Sequence, residues 1–144
     1  MLEKIKTEDW SSLETLNGSA EHVPNAVLEL LTDNKEKFDK AYWKLENHVV
    51  VQGDLYSSAA VLPKYLEEVV IKARFKPGVL ELLFQIGNGH AQSTELEEKC
   101  FSGVIEVLKR LLIHPEIAES SLTKVINEDL EALVELHEER HKGT

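Results

Sequence analysis

The stretch from Thr94 to Ile113 most restricts what this chain can fold into. Leu96, Cys100, Phe101, Val104, Ile105, Leu108, Leu111 and Leu112 recur at helical spacing. Residues three and four apart share a helix face, so the pattern predicts an α-helix. The apolar sector is too wide for one neighbour. It has to be covered on two sides, as for a middle helix in a stack. Thr94 and Glu97 match a T-x-x-E capping box at its start.

The rest of the chain supplies the neighbours. Thr7 is placed to cap a first helix over 8–16, ended by Gly18-Ser19. Pro24 stands where a second helix begins, ahead of Val27, Leu28, Leu30 and Leu31. Asn34 can cap a third, with the stripe Phe38, Ala41, Tyr42, Leu45 and Val49, ended by the turn at Gln52-Gly53-Asp54. A fourth is expected over 55–72, kinked or split by Pro63. Pro77 opens a fifth to about Gln85, followed by the loop Gly87-Asn88-Gly89-His90. After Ile113, Ser120 or Ser121 caps a last helix to about Arg140. Val49-Val50-Val51 gives only a weak strand signal and is expected to end a helix.

Pro24–Leu31, Pro63–Val70 and Gly103–Arg110 begin similar apolar patterns 39 and 40 residues apart. That spacing lies near the period of stacked helix pairs, which bury a shared core because one pair cannot bury its own face. The expected architecture is one all-α domain over 1–144. It has three pairs, at 7–32, 35–72 and 76–113, with 121–140 as a polar cap. A non-repeating helical bundle is the alternative.

Composition narrows the partner. The net charge is −10, and residues 93–139 hold twelve Asp/Glu against four Lys/Arg, a balance of −8. Nucleic acid and anionic membranes are bound through Lys and Arg, so neither is expected here. No stretch approaches the roughly 18 apolar residues of a membrane span. The start of the chain is charged and lacks an apolar signal core. The single cysteine, Cys100, excludes an intramolecular disulfide. These features lead to the expectation of a cytoplasmic protein. The acidic stripe Glu128, Glu131 and Glu135, with Glu138/Glu139, lies opposite the leucines of the last helix. Glu95, Glu98 and Glu106 extend it on the helix before. This is either a solvated face or a docking surface for a basic protein. Trp43 sits beside the Tyr42 stripe. It either packs on the first helix pair or is an exposed interface anchor.

Catalytic signals are weak. His137-Glu138-Glu139-Arg140-His141 matches H-E-x-x-H, which places two histidines one turn apart. It lacks a downstream third ligand, and is read as a frayed, solvated helix end whose cations suit the dipole. His22, His48, His90 and His114 are scattered, and Cys100 lies on an apolar face. No catalytic, cofactor or metal site is expected. A hydrolase using the H-E-x-x-H motif, or a helical lyase, is the enzyme alternative.

The run Ala41–Val69 carries a family resemblance. Ala41, Leu45, Gln52, Gly53, Tyr56, Ser58/Ala59, Pro63 and Tyr65-Leu66 resemble the A-x-x-x-L, Q-G-x-x-Y-x-A/S-A and P-x-L pattern of small bacterial HEAT-like proteins. Trp10, Gly18 and Val23-Pro24 are similar to that family's opening, and the resemblance covers about 8–88. The His that often precedes Gln-Gly is Val51 here, with His48 one turn earlier. Such proteins often occur beside polymorphic toxins, and some act as immunity proteins. The resemblance and the charge together imply a protein that binds and neutralises a basic toxin domain, possible toxins including nucleases. A general HEAT-like scaffold is the alternative. Within the signature, Gly53 is expected at positive φ in a helix-to-helix turn. Asp54 is expected as the next N-cap, with Gln52 and Tyr56 satisfying backbone groups across the turn.

Overall fold

In the computed structural model, which describes residues 1–51 and 53–142, α-helix dominates. The helices are α1 (Val23–Glu29), α2 (Lys35–Val49), α3 (Leu62–Lys72), α4 (Lys76–Asn88), α5 (Thr94–Ile113), α6 (Pro115–Ala118) and α7 (Leu122–Lys142). Two short hairpins join them, β1 (Glu14–Thr15) with β2 (Gly18–Ser19) and β3 (Val50–Val51) with β4 (Asp54–Leu55). No described helix is long and apolar enough to cross a membrane.

The helices form two rows. Contacts run α1–α3–α5 in one row and α2–α4–α7 in the other, and the rows are joined within α1–α2, α3–α4 and α5–α7. Of the expected pairs, that at 76–113 is found, with α4 packed on α5, whereas α2 packs on α1 and α3 on α4 rather than α2 on α3. The helix at 121–140 packs on α4, α5 and α6 and buries Ile126 and Leu133, leaving most of its length facing outward. As its wide apolar sector requires, α5 is covered from several sides, by α3, α4 and α7. Its buried residues are Cys100, Val104, Val107, Leu108 and Leu111.

The expected helix over 8–16 does not form. Leu2–Thr7 and Trp10–Ser12 are 3-10 turns, and a hairpin follows. Local polar groups compete with helical hydrogen bonding here. Ser11 Oγ donates to Asp9 Oδ1 at 2.7 Å and Ser12 Oγ to the Asp9 carbonyl at 2.9 Å. Leu16-Asn17 form the turn between Thr15 and its partner Gly18, and Gly18 takes φ +110°, which favours glycine. The segment is tied down by Trp10, whose indole N–H donates to the Ile5 carbonyl at 2.7 Å and whose ring meets Tyr65.

Other starts move by a few residues. Asn34 caps α2 as expected, accepting from the Lys37 N–H at 3.1 Å. The helix expected over 55–72 is split, with Ser57–Ala60 a 3-10 turn and Pro63 in the first turn of α3. There its missing N–H breaks no helical bond. For α5 the N-cap is Ser93, accepting from the Leu96 N–H, and not Thr94. Glu97 reaches back to the Ala91 N–H at 2.7 Å. Of the repeated patterns, those at Pro24 and Pro63 open α1 and α3. Gly103 instead lies inside α5, where it faces Pro63.

Phe38 is the hinge pin between α2 and α4. It is fully buried and packs its ring 5.3 Å from that of Phe75. A Cβ on Gly78 would stand 2.6 Å from Phe38 Cε1, so the close approach of the two helices needs glycine there. Phe38→Ala is expected to lower unfolding free energy by about 3–5 kcal/mol in urea titration, the usual cost of removing a buried ring.

Candidate functional site

Three segments that stand out in the sequence meet at one junction. They are the turn at Gly53-Asp54, the segment Gly87-Asn88-Gly89-His90, whose first two residues end α4 and do not form the loop expected there, and the His137–His141 motif. Gly53 does take a positive φ, +85°, but in a β-hairpin and not a helix-to-helix turn. Asp54 is on β4 and caps no helix, because pairing of Val50 with Leu55 and Val51 with Asp54 takes up the backbone. Tyr56 donates its N–H to the Val49 carbonyl at 3.1 Å. Gln52 lies outside the described residues. The hairpin clips onto the loop after α4. The Leu55 N–H donates to the His90 carbonyl at 2.7 Å, and the His90 N–H to the Gly53 carbonyl at 2.6 Å. Leu55 fills the space a Cβ on Gly89 would need.

From the other side, Arg140 of α7 closes the same loop. Its guanidinium donates to the Asn88 carbonyl, to Asn88 Oδ1 at 2.9 Å and to the Gly89 carbonyl at 3.0 Å. These are helix-end carbonyls that need donors. The end of α7 is thus anchored, contrary to the frayed end expected. His137 stacks on Phe101, with centroids 3.9 Å apart and planes within 12°. Glu98 does not join an outward acidic stripe. Its Oε1 lies 2.7 Å from His137 Nε2 and 3.1 Å from His141 Nε2, across the α5–α7 interface. The hydrogen bond from His137 holds the Glu98 carboxyl below the ordinary carboxylate range.

The other expected docking residues are on the surface. Glu95 and Glu106 are exposed, but each has a cation one turn on, Lys99 at 3.2 Å and Arg110 at 3.9 Å. Glu128, Glu131 and Glu135 are exposed on α7. Glu131 and Glu135 flank a shallow groove floored by Leu130 and Val134. Trp43 is 58% exposed, so it is not packed on the first pair. Cys100 is fully buried, and burial pushes its thiol up to about 12, which fits an inert core position.

The row α2–α4–α7 carries a second acidic feature that sequence reasoning missed. Tyr42 and Glu46 of α2, Glu81 and Gln85 of α4, and Asp129 of α7 come together across it. Gln85 Nε2 donates to Tyr42 Oη at 2.9 Å and reaches Glu46 and Glu81 at 3.5 Å. Among the described residues, no Lys or Arg forms an ion pair with Glu46, Glu81, Glu128 or Asp129. Asp129 responds to this field. Burial, then the charges of Glu81 and Glu128, push its carboxyl up to about 6. These residues lie on three separate helices, so only tertiary packing reveals the cluster.

Comparison of the chain with protein-family models, with curated proteins and with solved structures gave no match.

Asp129 yields a pH test. Its folded-state carboxyl titrates near 6, above the ordinary 3.8. Ionised Asp129 therefore costs stability above that window, and the cost fades as pH falls through it. Asp129→Asn is expected to raise the thermal midpoint at about pH 7.5 and to leave it unchanged below about pH 4. Calorimetry across that range checks both the sign and the window.

Proposed function

We propose that this chain is a HEAT-like stack of three helix pairs that binds and neutralises a basic toxin domain, in the manner of an immunity protein. The observation that carries the reading is the carboxylate row on α2, α4 and α7, which has no cationic partner of its own among the described residues. Ionised groups crowded in this way repel one another, and after burial, which is the larger cause, the charges of Glu81 and Glu128 add to the rise of the Asp129 carboxyl. Lys and Arg side chains of a partner would relieve that repulsion and gain charge-assisted hydrogen bonds.

Three further features support it. The helices are arranged in two rows with paired contacts between them, the layout a stacked-pair protein uses to present an extended surface. Exposed Trp43 stands one turn before Glu46 on α2, which suits an aromatic anchor at the edge of a charged patch. The resemblance of Ala41–Val69 to HEAT-like proteins, some of which act as immunity proteins, supplies the toxin as the class of partner. Charge in such a complex chiefly sets association rate and orientation, so the interaction should be salt-sensitive.

The test is co-expression with a toxin domain encoded beside the gene, together with stopped-flow binding. Protection of the host and a complex that weakens with salt are expected. Replacing Glu46, Glu81 and Glu128 by Gln and Asp129 by Asn is expected to slow association about tenfold or more. A complex with a basic protein that is not a toxin would instead support a scaffold. Absence of both protection and complex would reject the immunity reading.

A further inference from the structure

The junction of α5 and α7 holds a donor set that docking does not use. Glu98, His137 and His141 each offer a ligand atom, and these atoms lie within 4.8 Å of one another. Both Nε2 atoms are aimed at the same carboxylate oxygen, at 2.7 and 3.1 Å. Ligand atoms bound tetrahedrally to Zn²⁺ at about 2.0–2.1 Å stand roughly 3.4 Å apart. Placing a cation between these donors therefore needs shifts of only a fraction of an ångström to about one and a half ångström.

We infer that Glu98, His137 and His141 form a binding site for a first-row divalent cation, with Zn²⁺ foremost. The donor chemistry selects it: two imidazoles and one carboxylate suit Zn²⁺ and its neighbours, whereas Mg²⁺ and Ca²⁺ need all-oxygen shells. An H-E-x-x-H motif ordinarily takes its third ligand from downstream. Here the third comes from upstream, on α5, which is why the motif alone does not disclose the site.

The surroundings are built to hold the donors still. Stacking on Phe101 fixes the His137 ring plane. Arg140, between the two histidines in sequence, locks α7 to the loop after α4 through the bonds described above. A metal ligand set needs such a supporting shell. Glu98 and His141 are 42% and 45% exposed, so a cation can enter and a water molecule can complete the fourth position. Bound metal would tie α7 to α5, and binding to the folded chain alone raises its stability.

The experiment titrates Zn²⁺ into the untagged full chain by calorimetry, with Mg²⁺ in parallel, and follows the thermal midpoint. One Zn²⁺ per chain, no Mg²⁺ binding and a midpoint that rises with Zn²⁺ are expected. His137→Ala, His141→Ala and Glu98→Gln should each weaken binding by at least about tenfold, since loss of even an outer partner costs that much. The control is His22→Ala. His22 and His48 form another histidine pair, with ring centroids 4.8 Å apart, and its loss should leave the affinity unchanged. Co²⁺ in place of Zn²⁺ gives a second readout, a tetrahedral visible spectrum that Glu98→Gln perturbs. No saturable binding, or binding that survives all three substitutions or falls with His22→Ala, overturns the inference. Glu98 and His141 are half-exposed, so their substitution spares the core, and circular dichroism verifies folding.

Discussion

Backbone carbonyls at the end of a helix must find donors, and in this protein the choice of donor ties remote parts of the chain together. At the end of α4 the donor is Arg140, 52 residues on from Asn88, aided from the opposite side by the β3–β4 hairpin. At the end of α3 it is Lys76. Its ammonium donates to the carbonyls of Val70, Ile71 and Ala73 at 2.9, 2.6 and 2.9 Å. Burial lowers the Lys76 pKa, and the carbonyls are what make that position tolerable. These two clamps tie α4 to the end of α3 and α7 to the end of α4. The α3–α4–α7 contacts they hold run through the middle of the molecule, with α5 packed on all three of these helices.

Local signals were legible where the physics is local. Asn34 before Lys35–Val49 and Pro24 near the start of α1 were each readable from one turn of sequence. The wide apolar sector of α5 correctly demanded more than one neighbour. The misreadings arose where tertiary context decides. Trp10 falls within the helix expected over 8–16, yet its burial comes from a 3-10 turn folded onto Tyr65. Val50-Val51 is too short to announce a strand, and only pairing with Asp54-Leu55 makes it one. The expected pairing of α4 with α5 is present, but with no helix over 8–16 to pack on, α1 packs on α2, and α3 packs on α4 rather than on α2.

The candidate sites show the same division. A stripe such as Glu128, Glu131 and Glu135 is visible because it repeats on one helix. Neither the Glu46–Glu81–Asp129 grouping nor the Glu98–His137–His141 grouping repeats on anything, since each joins helices far apart in the chain. Glu98 is the sharpest instance. Its place beside Glu95 suggests an outward face, whereas the turn of α5 carries it onto α7. Charge counted along the sequence therefore overstated the acidity of α5 and missed that of the α2–α4–α7 row.

The clamp at Arg140 also has a consequence for the order in which the molecule is assembled. Residues 88–90 emerge from the ribosome long before residue 140. The hairpin at Gly53–Leu55 is already available by then, but the guanidinium is not. The loop after α4 is thus seated on one side early and on the other only when α7 docks. Until then its carbonyls depend on water. A nascent chain at that stage presents the faces of α4 and α5 that α7 will cover, apolar surface of the kind that incompletely folded chains expose.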